Sequence, residues 1–109
     1  MLIKDFCEKY GVTKRNIDYW TNLGLLHPEI HENGYRDYGD RAESEIGYIF
    51  IASMMNRPGS LRETVNDIRE YDEKKWRKCI NDMQTQRSTL TEQFDIAYRI
   101  AMKSLEEVE

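Results

Sequence analysis

The sequence lacks a long apolar run and is poor in cysteine. No stretch approaches the roughly 18 apolar residues that a membrane-spanning helix requires, and charged residues interrupt the N-terminal MLIKDFCEKY early. We therefore expect a cytoplasmic protein with neither a membrane anchor nor a secretory signal. Cys7 and Cys79 lie far apart and outside any C-x-x-C spacing, which argues against a disulfide framework and against a zinc or other metal site.

An excess of positive charge is absent as well. The net charge is −4, and acidic residues outnumber basic ones both before and after residue 60. Because the general attraction to nucleic acid would then be modest, affinity for DNA requires cations and backbone amides concentrated on one face. The chain also has no Ser/His/Asp, Cys/His, phosphate-loop or metal-ligand pattern at a workable spacing, so we expect neither an enzyme nor a protein with a cofactor.

Two short helices are predicted at the start of a compact domain that we place at residues 1–70. Apolar spacing predicts a first helix over residues 3–10, with Cys7 in the core, and Gly11 ends it. Thr13 is suited to cap a second helix over residues 14–22. The buried stripe of this second helix is expected to consist of Ile17, Trp20 and Leu23.

The exposed face of the helix over residues 14–22, which we call the reader helix, carries side chains able to bind phosphates or base edges. These side chains are Lys14, Arg15, Asp18, Tyr19 and Asn22. A plainer interpretation is that Lys14 and Arg15 are solvated cations and that Asp18 pairs with Lys14 at i, i+4. Asp18 could also accept from a cytosine amino group or reduce the attraction to phosphate, and the residues leave these alternatives open.

A β-hairpin, which we call the wing, is predicted next. Asn33-Gly34 suits a two-residue type I′ turn, and Arg36 projects between Tyr35 and Tyr38. The alternative is a plain surface hairpin whose aromatic residues cover the core. Before it, Gly24 ends the reader helix, and Leu25 and Leu26 turn into the core.

Two more helices complete the predicted domain. The third spans about residues 42–56, and its packing face is expected to consist of Ile46, Ile49, Phe50 and Met54. Arg57-Pro58-Gly59 breaks this helix. Ser60 and Glu63 form a capping box for a fourth helix, whose buried stripe is expected to consist of Leu61, Val65 and Ile68.

A long helix is predicted from Asp72 to about Leu105, within a second domain at residues 71–109, because neither glycine nor proline interrupts it. Its apolar positions alternate at four and three residues, which forms a heptad seam. The seam consists of Trp76, Ile80, Met83, Arg87, Leu90, Phe94, Ala97 and Ala101. A lone helix cannot bury this seam, so we expect a second copy to cover it. Arg87 would then need a carboxylate across the interface, with Asp95 and Glu92 as the candidate anions.

The combination of GVTKRNIDYW, GLL and NGYRDY over residues 3–38 resembles the DNA-binding head of the MerR family of transcription regulators. The resemblance implies a mainly α fold, in which a winged helix-turn-helix head with a small β-hairpin precedes a long dimerisation helix that pairs as an antiparallel coiled coil. Because the sequence ends a few residues past the seam, we expect a minimal form without a C-terminal effector domain. At the position of Asp18 the family usually has a basic residue.

The same resemblance implies a function and a set of contacts. A homodimer would bind double-stranded DNA at a palindromic operator or promoter and bend or untwist it so that RNA polymerase can engage. A role at a membrane is not expected. The loop with Arg57 resembles the family's second wing. The expected DNA contacts are Thr13, Lys14, Arg15, Asp18, Tyr19, Tyr35, Arg36, Tyr38 and Arg57.

Two other functions share these features. A phage or mobile-element DNA-bending protein of the excisionase type has a winged head without a role in regulation. A winged-helix adaptor would bind a protein through the reader helix, which suits the acidic composition of the head.

Overall fold

The computed structural model describes residues 1–55 and 57–108. The described residues form five helices and one two-stranded antiparallel hairpin: α1 (Ile3–Tyr10), α2 (Lys14–Asn22), β1 (Glu29–Ile30), β2 (Arg36–Asp37), α3 (Asp40–Met55), α4 (Leu61–Arg69) and α5 (Glu73–Val108). The predicted fold class, a mainly α winged helix-turn-helix followed by a long helix, is confirmed. The predicted end of the third helix at residue 56 and the last residue of the second predicted domain, residue 109, lie outside the described residues.

The turn between α1 and α2 follows from two residues. Gly11 ends α1 with φ +65°, a left-handed conformation that suits glycine, and the amide of Val12 donates to the Cys7 carbonyl. The Thr13 hydroxyl accepts from the Asn16 amide at 3.1 Å, which confirms the predicted cap of α2. The helix-turn-helix therefore begins and ends where the sequence indicates.

The core of the first unit lies between α1, the reader helix α2, α3 and α4. Its largest fully buried side chains are Phe6, Ile17, Leu26, Tyr38, Ile46, Ile49, Val65 and Ile68. The predicted burial of Trp20, Leu25 and Leu26 is confirmed, whereas the prediction that Met54 packs inward is wrong, because its side chain is 52% exposed. Cys7 is half-buried. Burial raises the pKa of its thiol, and Asp18 adds to this effect, so the reactive thiolate is disfavoured.

The hairpin turn differs from the predicted type I′ turn. The strands pair Glu29 with Asp37 and Ile30 with Arg36. The Gly34 amide donates to the His31 carbonyl at 2.9 Å, and the His31 amide donates to the Tyr35 carbonyl at 2.8 Å. With Gly34 at φ +81°, this is a three-residue loop in which the glycine provides the left-handed residue after a tight turn. The loop therefore has one residue more than the predicted two-residue turn.

Polar contacts also stabilise α3 and α4, the remaining helices of the first unit. α3 begins at Asp40, two residues before its predicted start, and the Lys9 ammonium of α1 donates to its Glu43 carboxylate at 2.6 Å. Ser60 accepts from the Glu63 amide at 3.1 Å, which confirms the serine half of the predicted capping box.

The chain divides into two compact units, Met1–Glu70 and a second unit that begins at Tyr71. The second unit consists of α5, whose first turn is capped when the Lys75 amide donates to the Asp72 carboxylate at 2.9 Å. No helix among residues 1–55 and 57–108 is long and apolar enough to cross a membrane.

Candidate nucleic-acid interface

The first turn of the reader helix α2 is the most exposed cationic element of the candidate interface. Lys14, Arg15 and Asn16 are all exposed, and Tyr19 exposes 57% of its surface. The opposite side is fixed by the buried Ile17 and Trp20. Since the first amides of a helix have no intrahelical acceptor, cations and backbone N–H groups occur together at this end, which is suited to a phosphate or a base edge.

An ion pair joins the reader helix to the wing. The Arg36 guanidinium on β2 donates to the Asp18 carboxylate on α2 at 3.0 Å, and both side chains are about one-third exposed. This contact replaces the pairing of Asp18 with Lys14 that the plainer interpretation proposed. It leaves Lys14 and Arg15 exposed while it partly neutralises Arg36. No local spacing indicates the pair, because its members lie 18 residues apart.

The tip and base of the wing are ordered by short polar contacts. The Tyr35 amide donates to the Asn33 side chain at 3.0 Å, and the Tyr35 ring lies beside the His31 ring with 5.4 Å between their centres. At the base, the amino group of Met1 and the His31 ring bind the Asp37 carboxylate, and the amino group, followed by His31, lowers the pKa of that carboxyl. The Tyr35 side chain remains 38% exposed, so it is accessible to a ligand.

Tyr38 does not take the exposed position that a DNA contact requires. Its side chain is completely buried and stacks on Phe6 with 5.0 Å between ring centres. The expected contact between Tyr38 and DNA is therefore corrected to a role in the core, where the ring fixes the wing to α1. The hydroxyl has no hydrogen-bond partner among the described residues.

The remaining two predicted contacts differ in how their side chains are used. The Thr13 hydroxyl caps α2 and so is already engaged. The exposed Arg57 donates to the Asp67 carboxylate at 2.6 Å, which ties the loop before α4 to that helix. The sequence analysis did not identify the exposed side chain of Ile30, which is 62% exposed on β1. Only the position of Ile30 next to the hairpin loop could have indicated its exposure.

The eight predicted seam residues all lie on α5. Ile80, Leu90 and Phe94 are each more than half exposed in the single chain, whereas Trp76 and Met83 are partly covered. At 3.6 residues per turn the exposed Tyr98 and Leu105 extend the same side of the helix. Two further exposed residues, Ile96 and Ile100, fall outside this stripe. Cys79 is buried, and no group of metal-binding side chains occurs in the described part of the chain.

Comparison with known proteins agrees with the geometry of the head. Residues 1–50 match the family described as MerR HTH family regulatory protein. One relative is the HTH-type transcriptional regulator CueR of Bacillus subtilis (strain 168), which is 43% identical over 47 residues. This match covers 43% of the present chain and only 33% of the relative. The N-terminal helix-turn-helix of this chain is thus similar to the DNA-binding region of MerR-type regulators.

Proposed function

We propose that the chain is a transcriptional regulator that binds a palindromic DNA site as a homodimer. The observation that carries the proposal is the exposed N-terminal turn of the reader helix, with Lys14 and Arg15, linked by Asp18 to the Arg36 guanidinium of the wing. A helix of this kind fits the major groove, and a hairpin beside it reaches the adjacent backbone. The match of residues 1–50 to a family of helix-turn-helix regulators supports the same function.

The contacts have different tasks in this proposal. Arg15 reads a base edge, and Lys14 and the first amides of α2 bind a phosphate. Arg36 binds the backbone next to the groove, and Tyr19 and Tyr35 supply hydroxyl groups at the margin. Arg57 is a weaker contact because it must be shared with Asp67. These few cations are sufficient only when they face the duplex together, since the chain as a whole is acidic.

Side-chain size supports an antiparallel pairing of two α5 helices. In a parallel pair, Arg87 would face its own copy, and Ala97 and Ala101 would leave gaps. In an antiparallel pair centred near Leu90, each alanine lies across from a larger residue near the start of the partner helix. Burial of Arg87 in this pair requires a carboxylate of the partner helix, with Asp95 and Glu92 as the candidates, to offset the cost of burying its charge.

The two-fold axis of this pair places two reader helices on one duplex, which requires an inverted repeat in the bound sequence. Bending or untwisting the DNA between the half-sites, so that RNA polymerase can engage, belongs to the same proposal. Deformation of this kind costs on the order of several kcal/mol, and contacts from both wings would offset it.

The test is selection of bound duplexes from a random pool with the purified chain. We expect enrichment of an inverted repeat whose half-sites lie about one or two helical turns apart. Failure to enrich any sequence would contradict the proposal and leave the protein-binding adaptor as the better function. Enrichment of a single half-site would contradict the homodimer but not the reader helix.

A further inference from the structure

A second charged site lies in the first unit and is not used by the proposed DNA contacts. Arg41 near the start of α3 and Arg69 at the end of α4 both lie close to the carboxylate of Glu45. They line an open surface pocket of about 450 Å³, and Ser44 and Tyr48 complete its wall. The arginines come from different helices, so only the folded domain brings them together.

The carboxylate at the base of this pocket is already hydrogen-bonded. Glu45 is 3% exposed and accepts from the His27 amide at 3.1 Å and from the ring Nδ1 of the same histidine. The nearest nitrogens of Arg41 and Arg69 lie 3.7 and 3.8 Å from its Oε2 atom, beyond hydrogen-bonding distance. Neither guanidinium group is therefore hydrogen-bonded to Glu45.

The donors of both arginines remain available. Within residues 1–55 and 57–108, neither Arg41 nor Arg69 donates a hydrogen bond to another side chain or to the backbone. Arg69 lies over the Tyr48 ring, with 5.1 Å between its guanidinium carbon and the ring centre, which restricts its orientation. The guanidinium groups of Arg41 and Arg69 thus line one pocket, and their two positive charges exceed the single charge of Glu45.

We propose that this pocket binds a phosphoryl group through Arg41 and Arg69. Two guanidinium groups offer enough N–H donors for the several oxygens of a tetrahedral phosphoryl group, and charge-assisted hydrogen bonds to it replace the long contacts to Glu45. The exposed hydroxyl of Ser44 adds a donor at the rim. The phosphoryl group belongs either to a small free ligand or to the backbone of bound DNA.

Inorganic phosphate, titrated against chloride at constant ionic strength, is the first probe. We expect saturable changes in the amide NMR signals of the pocket residues, with at least tenfold weaker binding in Arg41→Gln/Arg69→Gln. The matched control is Arg77→Gln on α5, whose arginine pairs with Glu73 at 2.8 Å, and this variant should bind phosphate as the wild type does. Thermal unfolding of each variant verifies that it is folded, and Arg69→Lys, which keeps the charge but loses the fork, should show an intermediate loss.

A duplex from the selection described above distinguishes the two sources. If the DNA backbone supplies the phosphoryl group, Arg41→Gln/Arg69→Gln should lower the slope of log Kd against log salt concentration by about one to two units. If the ligand is free, this dependence should not change, although phosphate binding is lost. Absence of saturable phosphate binding together with an unchanged salt dependence would overturn the proposed pocket. Wild-type DNA binding, measured in the same series, tests the proposed function separately from the phosphate result.

Discussion

The Arg36 guanidinium of the wing and the Asp18 carboxylate of the reader helix form an ion pair at 3.0 Å. It joins the two elements that would contact DNA, and it places a negative charge beside the cations of the reader helix. Arg36 in the free protein is therefore held in position but is partly neutralised. DNA binding must either retain this pair or transfer Arg36 to a phosphate.

A double-mutant cycle measures what the pair contributes. We expect Arg36→Ala to weaken DNA binding more in an Asp18→Asn background than in the wild type, because Asp18 no longer neutralises the guanidinium. The coupling should reach about 0.5 kcal/mol or more in the binding free energy, as is usual for charged neighbours. Fluorescence anisotropy with the selected duplex provides the affinities, and strictly additive effects would contradict a functional coupling.

Substitutions of Arg15 and of Arg36 should affect DNA binding in different ways. Arg15→Ala removes the proposed base contact, so it should cost about 1–3 kcal/mol on the selected site and relax the sequence preference. Arg36→Ala removes the proposed contact to the DNA backbone, so the affinity for all duplexes should fall by a similar factor. The measurement is affinity for the selected duplex and for single-base variants of it. Equal, non-selective losses from both substitutions would rule out base reading by Arg15.

The burial of Tyr38 gives a prediction about stability and binding together. Tyr38→Phe retains the stack on Phe6 and removes a buried hydroxyl without a described partner, so the free energy of unfolding should stay the same or increase by about 1 kcal/mol. Tyr38→Ala should cost about 3–5 kcal/mol because it leaves a cavity. Chemical denaturation measures both values. A strong loss of DNA affinity in a stable Tyr38→Phe variant would instead indicate that the Tyr38 hydroxyl contacts DNA directly.

The α5 seam can be tested with two pairs of substitutions. Leu90→Gln/Phe94→Gln should shift the chain from dimer to monomer in sedimentation equilibrium, since it removes apolar area from the centre of the stripe. Ile96→Gln/Ile100→Gln removes two exposed apolar residues outside the stripe and should leave the dimer intact. The same oligomeric state in both double variants would show that the seam is not the interface.

The contact between α1 and α3 predicts a response to acid. The Lys9 ammonium lowers the pKa of the Glu43 carboxyl below its ordinary value of 4.5. A carboxyl with a lowered pKa stabilises the fold above its ordinary pKa, and this contribution disappears as the pH falls through the folded-state value. Glu43→Gln should therefore reduce the unfolding midpoint at pH 7 but change it little near pH 3, as measured by urea titration. A constant difference at both values would exclude this ion pair as the cause.

The sequence predicted the local elements well because their signals lie within a few residues. The hydroxyl of Thr13, the left-handed Gly11 and the serine cap of α4 each act on the next turn of the chain, and all three are present as predicted. The hairpin loop was predicted less well, since Asn33-Gly34 is compatible with two turn types and the additional loop residue is decided by the pairing of the strands.

The candidate interface was harder to predict, because it depends on contacts between residues that are far apart in the sequence. The pairing of Asp18 with Arg36 and the stacking of Tyr38 on Phe6 join residues that are 18 and 32 positions apart, and no period or motif specifies them. The pocket of Arg41 and Arg69 has the same origin, because α3 and α4 must pack before these side chains meet. The exposed cations of the reader helix could be predicted from the sequence, whereas contacts between different elements could be identified only from the tertiary structure.

Under the proposed function, two copies of the chain hold two reader helices on one DNA molecule. Analytical ultracentrifugation of the wild-type chain with the selected duplex, and with a duplex that carries one half-site, tests it most directly. We expect two chains on the full site at all subsaturating concentrations and a large loss of affinity on the half-site. One chain bound independently to each half-site, with equal affinity for the single half-site, would contradict the account.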